Sequence, residues 1–227
     1  MESSKIAMIG FGYMGQRLSS MLLKKGHTIF VYDSNIDANQ IQAIMEEQLA
    51  CLYSQHICSS MFHLFKYNAY KERTKMLLQK FNAVGNLTEL LSQGCSIVIE
   101  ATTEDIKCKR AVVQELTSIW QQQGVPAGDV LLCSTTEGLP ISLIIADATE
   151  EYKPYCMGFH VFLDKPCYTT VTYQNNEQAK FGYAERLFSL LKGPAQIRVE
   201  DPTRVSMSVT GQDLLGTSGN IAPAHAL

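Results

Sequence analysis

The chain is 227 residues long, with 46% hydrophobic and 18% charged residues and a formal net charge of −3. That length buries one substantial core, the composition is that of an ordinary globular protein, and the charge supplies no global field for nucleic acid or acidic membranes. Seven cysteines, at positions 51, 58, 95, 108, 133, 156 and 167, include no close pair with metal-ligand spacing, so neither a metal site nor a disulfide framework is expected. The opening "MESSKIAMIGFG" breaks its apolar run with glycines, and no apolar stretch reaches membrane-spanning length. A reducing, cytoplasmic location is the expectation.

In chain order, "KIAMIG" is a short apolar run closed by glycine, and Met14, Leu18, Met21 and Leu22 then recur at helical spacing up to Gly26. The stretch reads as strand, tight turn, helix. "HTIFVYD" gives a second buried strand ending at Asp33. Residues 35 to about 80 carry Ile41, Ile44, Met45, Leu49 and Leu52 on one helical face, then the aromatic "MFHLFKYNAY" and the basic "KERTKMLLQK", which together predict a long helical excursion. "GCSIVIEA" is the next clear strand, "DIKCKRAVVQELTSIW" a helix and "GDVLLCST" a strand. Alternation of this kind predicts an α/β fold of the Rossmann type, a doubly wound, mainly parallel sheet with helices on both faces. Two neighbouring strands, "YCMGFHVF" and "YTTVTY", follow, then a helix through Ala184, Leu187, Phe188 and Leu191. One domain over residues 1–204 is expected, with 205–227, broken by Gly and Pro, a short irregular tail.

"GFGYMG" sets Gly10, Gly12 and Gly15 in the G-x-G-x-x-G arrangement. The first glycine suits the tight turn, the second lets the backbone approach a pyrophosphate, and the third allows close helix packing. The turn follows a strand, opens a helix and precedes an acid, Asp33, by about 20 residues, which is the context the motif requires. Asp33 suits the ribose hydroxyls, and no Arg follows it to receive a 2′-phosphate, so NAD is expected rather than NADP. A glycine turn in an unrelated α/β unit is the competing reading.

From "IVIEATTEDIKCKRAVVQEL" through "LLCSTTEGLPISLIIADATE" to "YCMGFHVF", the sequence resembles the 3-hydroxyacyl-CoA dehydrogenase family over roughly residues 5 to 200. The resemblance implies that Gly10, Gly12, Gly15 and Asp33 form the cofactor fingerprint and that Glu104 and Lys109 lie close to the cofactor. It also implies that His160 removes the hydroxyl proton while hydride leaves for NAD. A near-neutral imidazole suits that task. The substrate implied is acyl-CoA-like, and the setting is fatty-acid metabolism.

Several positions depart from the family pattern. Its glutamate twelve residues after the histidine is here Thr172, its Asn-Pro is Leu163 and Asp164, and its serine in an Asn-Thr-Ser-Ser run is Glu137. Its C-terminal helical domain is expected to have no counterpart, which would leave a cleft open to self-association or a protein partner. Glu137 is a candidate replacement for the missing partner of His160, although a carboxylate there would also repel an alkoxide forming on the substrate. The basic residues Lys66, Lys71, Arg73, Lys75 and Lys80 suit either a coenzyme A phosphate or a solvated helix face. Two functions lead: an NAD-dependent dehydrogenase of this type, and a catalytically impaired NAD-binding protein acting as sensor or partner module. A third is an oxidoreductase of a different small substrate. His27, His56, His63 and His225 are expected to be surface or packing residues rather than ligands, and the cysteines buried small apolar groups.

Overall fold

The computed structural model describes residues 3–54, 63–161, 169–173 and 195–199. The chain divides between Ser96 and Ile97 into two compact units.

In the first unit, β1 (Lys5–Ile9), β2 (Thr28–Tyr32) and β3 (Phe81–Ala83) are parallel in the order β3-β2-β1. Residues Ile6 to Ile9 are all buried, whereas β2 alternates buried and half-buried positions. A continuously buried strand is one covered on both faces. The glycine turn leads from β1 into α1 (Tyr13–Lys24), whose buried side includes Leu18, Leu22 and Leu23. The excursion expected after the second strand is present as α2 (Ala38–Ser54) and α3 (His63–Leu78), and α2 anchors itself through Ile41, Met45 and Leu49, all fully buried. β3 and α4 (Leu87–Ser92), of three and six residues, are too short for a periodic pattern to register in the sequence. Asn86 caps α4, accepting the Glu89 N–H at 2.8 Å.

In the second unit the order is β4-β5-β6-β7-β8. Strands β4 (Ile97–Glu100), β5 (Leu131–Thr135) and β6 (Cys156–Val161) are parallel, β7 (Thr169–Tyr173) is antiparallel to β6, and β8 (Ala195–Val199) is parallel to β7. β4 and β5 are buried along their whole length. The helix α5 (Ile106–Gln123) joins them; Asp105 caps its start and Gly124, in the left-handed region at φ 66°, ends it. A short 3₁₀ segment (Ala127–Asp129) leads from α5 into β5, and a short α6 (Ile141–Ile144) and a second 3₁₀ segment (Glu150–Tyr155) fill the run from β5 to β6. Parallel strands alternating with helices in both units give the Rossmann-type α/β fold. The strand β8 was not foreseen; the helix expected through Leu187 and the tail from 205 lie outside the described residues.

His27 is buried and its Nδ1 accepts the Ser4 N–H at 3.4 Å, a packing role as expected. The cysteines are less uniform than the sequence suggested: Cys95, Cys133 and Cys156 are buried, but Cys108 is half-buried and Cys51 exposed. A residue on an amphipathic helix is placed by its phase, which composition does not convey.

Candidate functional site

The nucleotide end begins at Gly10, whose φ of 90° is open to glycine at no steric cost. Gly12 is the N-cap of α1, no side chain caps that helix, and a Cβ built on Gly12 would meet nothing within 4 Å. Open space thus stands against uncapped N–H groups and the positive end of a helix dipole, an arrangement that receives a phosphate. Gly15 is buried within the first turns of α1. Asp33, one residue past β2, accepts the Phe11 N–H on Oδ2 at 2.7 Å and the Asn35 N–H on Oδ1 at 2.8 Å. The first bond ties the end of β2 to the glycine turn, a function of Asp33 that the motif spacing did not disclose. Each oxygen keeps a lone pair for a ribose hydroxyl. Beside it lies a hollow of about 290 Å³ lined by Asp33, Ile36, Asp37, Val84 and Gly85 among others. These residues fit the adenosine half of a dinucleotide.

A second hollow, of about 470 Å³, is lined by Leu23, Lys24, Arg73, Met76, Leu77 and Lys80. It borders the last turn of α1, and a twelve-residue helix is about 18 Å long, so this hollow is remote from the glycine turn. Burial, then Arg17 and Arg73, lower the basicity of Lys24 there. Of the basic stretch, Lys71 and Lys75 are exposed and Lys80 donates to the Gly26 carbonyl at 2.8 Å.

The second unit gathers the remaining polar chemistry at the ends of β4 and β5. Glu100, last in β4, and Lys109, in the first half of α5, are both 0% exposed and form an ion pair, with Nζ 3.1 Å from each carboxylate oxygen. Thr102 donates to Glu100 Oε1 from its N–H at 2.7 Å and also from its hydroxyl, and Ser134 Oγ donates to Oε2 at 2.5 Å. Lys109 donates onward to the Thr135 carbonyl at 2.7 Å and the Thr102 carbonyl at 3.4 Å. Buried charges persist where they are paired and hydrogen-bonded in this way. Glu104 is 41% exposed, and its Oε2 lies 3.8 Å from Lys109 Nζ. Its Oε1 accepts from Thr136 Oγ1 at 2.6 Å, Glu137 N–H at 3.0 Å and Gly138 N–H at 3.3 Å. Glu104 and Lys109 are therefore neighbours, Lys109 sealed in the interior and Glu104 at the surface. Glu100, Thr102 and Ser134 escaped the sequence reading, because a glutamate closing an apolar run looks like the polar end of a strand.

His160 is half-buried on β6, opposite Thr170 of β7. Thr172 lies opposite Gly158, two places along β7 from that partner. The Thr136 N–H donates to the Phe159 carbonyl at 3.2 Å, which brings the turn of Thr136, Glu137 and Gly138 against the strand of His160. Glu137 is exposed. Leu163 and Asp164 lie outside the described residues. Among the described residues no three metal-ligating side chains converge, and no helix is long and apolar enough to cross a membrane.

Residues 5–193 match the family model of the 3-hydroxyacyl-CoA dehydrogenase NAD-binding domain. The chain belongs to this family. NAD is accordingly its cofactor, and the glycine turn and Asp33 are residues that fit it. No curated protein sequence matches the chain. Among solved structures it is similar to 3-hydroxybutyryl-CoA dehydrogenase from Escherichia coli K12, with 16% identity and a TM-score of 0.67 over 89% of this chain and 39% of that one. It is also similar to (S)-3-hydroxybutyryl-CoA dehydrogenase PaaH1 from Ralstonia eutropha, with 18% identity and a TM-score of 0.67 over 88% of this chain and 65% of that one. A third is FadB2 from M. tuberculosis, with 18% identity and a TM-score of 0.64 over 88% and 65%. At these identities the likeness is one of fold, and this chain spans between 39% and 65% of the lengths of those proteins.

Proposed function

We propose that the chain is an NAD-dependent dehydrogenase of the 3-hydroxyacyl-CoA type, interconverting a secondary hydroxyl and a ketone on an acyl thioester. The observation that carries this reading is His160 on β6, set beside the turn of residues 136–138, in a chain that belongs to the family. NAD, when bound, supplies the carbon that takes the hydride. The glycine turn and the amino end of α1 hold its diphosphate and Asp33 its ribose, and Glu104, at the surface beside the sealed Lys109, is a further group proposed for the cofactor. As the C–H bond breaks and the carbonyl forms, the imidazole of His160 takes the hydroxyl proton; a positioned base of this kind contributes about 10²–10⁴-fold. Glu137, exposed on its turn, is the group proposed to face the imidazolium in place of the family's glutamate. A cytoplasmic location and a place in fatty-acid metabolism belong to the same reading.

The second reading, an NAD-binding module without turnover, is favoured by Thr172. A hydroxyl fixes an imidazole tautomer but carries no charge to balance the imidazolium. Mixing the protein with NADH and acetoacetyl-CoA and following the nicotinamide absorbance separates the two. Turnover that His160→Gln abolishes supports the dehydrogenase; tight NADH binding with no turnover supports the module.

A further inference from the structure

Glu100 closes a strand whose other residues are apolar, and it is buried completely together with its partner Lys109. A buried ion pair is a poor device for stability alone, since apolar residues of similar volume often serve as well or better. What the pair supplies is direction. With both Glu100 oxygens at 3.1 Å, Lys109 Nζ aims its remaining donors at the Thr135 carbonyl, which ends β5, and at the Thr102 carbonyl, just past β4. The same ammonium lies 3.8 Å from Glu104 Oε2, and the other oxygen of Glu104 gathers the Thr136 hydroxyl and the N–H groups of Glu137 and Gly138. Two bonded groups therefore meet at Lys109: it is hydrogen-bonded to Glu100 and to the Thr135 carbonyl, next to the turn of residues 136–138, and it faces Glu104 across a 3.8 Å ion pair that is Coulombic rather than a hydrogen bond. The hydrogen bonds in this set are directional, and networks of them fix geometry.

We propose that Glu100 is a positioning residue: acting through Lys109 and Glu104, it fixes the turns that follow β4 and β5, and with them the backbone of Glu137 beside the strand of His160. Its kinetic consequence rests on the dehydrogenase reading; its structural consequence does not. The variant that isolates the role is Glu100→Gln combined with Lys109→Met. It removes both charges together, keeps an amide oxygen for the Thr102 donors, and lets the Ser134 hydroxyl accept from the new amide nitrogen.

The expected outcome is a folded protein whose Glu137 and Gly138 amides exchange with solvent about ten-fold faster or more, while the Ile99 and Leu132 amides in the strands keep their protection. In the acetoacetyl-CoA assay, kcat should fall about ten-fold or more with KM little changed, the signature of misplaced rather than missing groups. Unchanged exchange at Glu137 and Gly138 in the folded double variant overturns the proposal. Should that variant fail to fold, Glu104→Ala cuts the relay at its surface end and should accelerate the same two amides; unchanged exchange there overturns it equally. Wild-type protein without turnover would sink the dehydrogenase reading and leave the exchange test standing.

Discussion

Asp33 holds the turn with a carboxylate that, on the proposed reading, also serves the sugar: Oδ2 accepts the Phe11 N–H and Oδ1 the Asn35 N–H, and each oxygen keeps a further lone pair. Asp33→Ala removes the ribose contact and loosens the turn together. Its NADH affinity should fall by at least about ten-fold, since a hydrogen bond to a charged group is worth about 1.5–3 kcal/mol, and calorimetric titration reads this directly. Changing coenzyme preference at this position alone would disturb the phosphate site as well. The buried thiols give a pH prediction at the same scale. Burial, partly countered by Lys5, pushes Cys95 up to about 11, and burial followed by the neighbouring Cys156 raises Cys133 further. The folded state thus holds thiol protons that the unfolded chain releases near pH 9, so stability is full below that value and declines as the pH climbs toward about 11. Urea midpoints measured across this window should fall, and Cys95→Ala should flatten part of the slope.

Elements that carry an apolar run or a helical period were legible; those without one, such as β3, α4 and the mixed "AQIRV" of β8, were not. The strands β1, β2, β4, β5 and β6 stand out as apolar runs, and α1 and α5 as amphipathic helices, because burial imposes those patterns directly. β3 owes its place to Ile29 and Val31 pairing with Phe81 and Ala83, a tertiary fact with no local trace. The site divides in the same way. The glycine turn is legible because only glycine takes φ of 90° freely, whereas the Glu100 network needs the fold to bring Ser134 and Lys109 to one carboxylate from 34 and 9 residues away. α5 presents Lys109 in its first turns, so its start matters. Asp105 fixes that start by accepting the Cys108 N–H at 2.8 Å. Asp105→Ala should cost about 1 kcal/mol, seen as a lower thermal midpoint. The Arg110 and Asp147 pair that links α5 to the segment after α6 is partly exposed, and such pairs contribute about 0–1 kcal/mol.

At the scale of the whole molecule, cofactor and fold are coupled by mass action: NADH at 100 times its Kd should stabilise the native state by about 2.7 kcal/mol. A thermal midpoint that rises with NADH and saturates would check both the coenzyme and its stoichiometry. Gly12 makes the control for that experiment. Its φ of −70° is ordinary for any residue, and the direction in which a side chain would grow is empty. Gly12→Ala should melt close to the parent temperature, with at most the modest loss of a poorer N-cap, and show no NADH-dependent rise.

The room beside that glycine means that no neighbouring atom bars a side chain from the position. A methyl group there would cost the fold little, a modest loss at a helix N-cap, and on the proposed reading would be felt mainly when a diphosphate docked. A healthy but coenzyme-blind form of this protein would then be one carbon atom away.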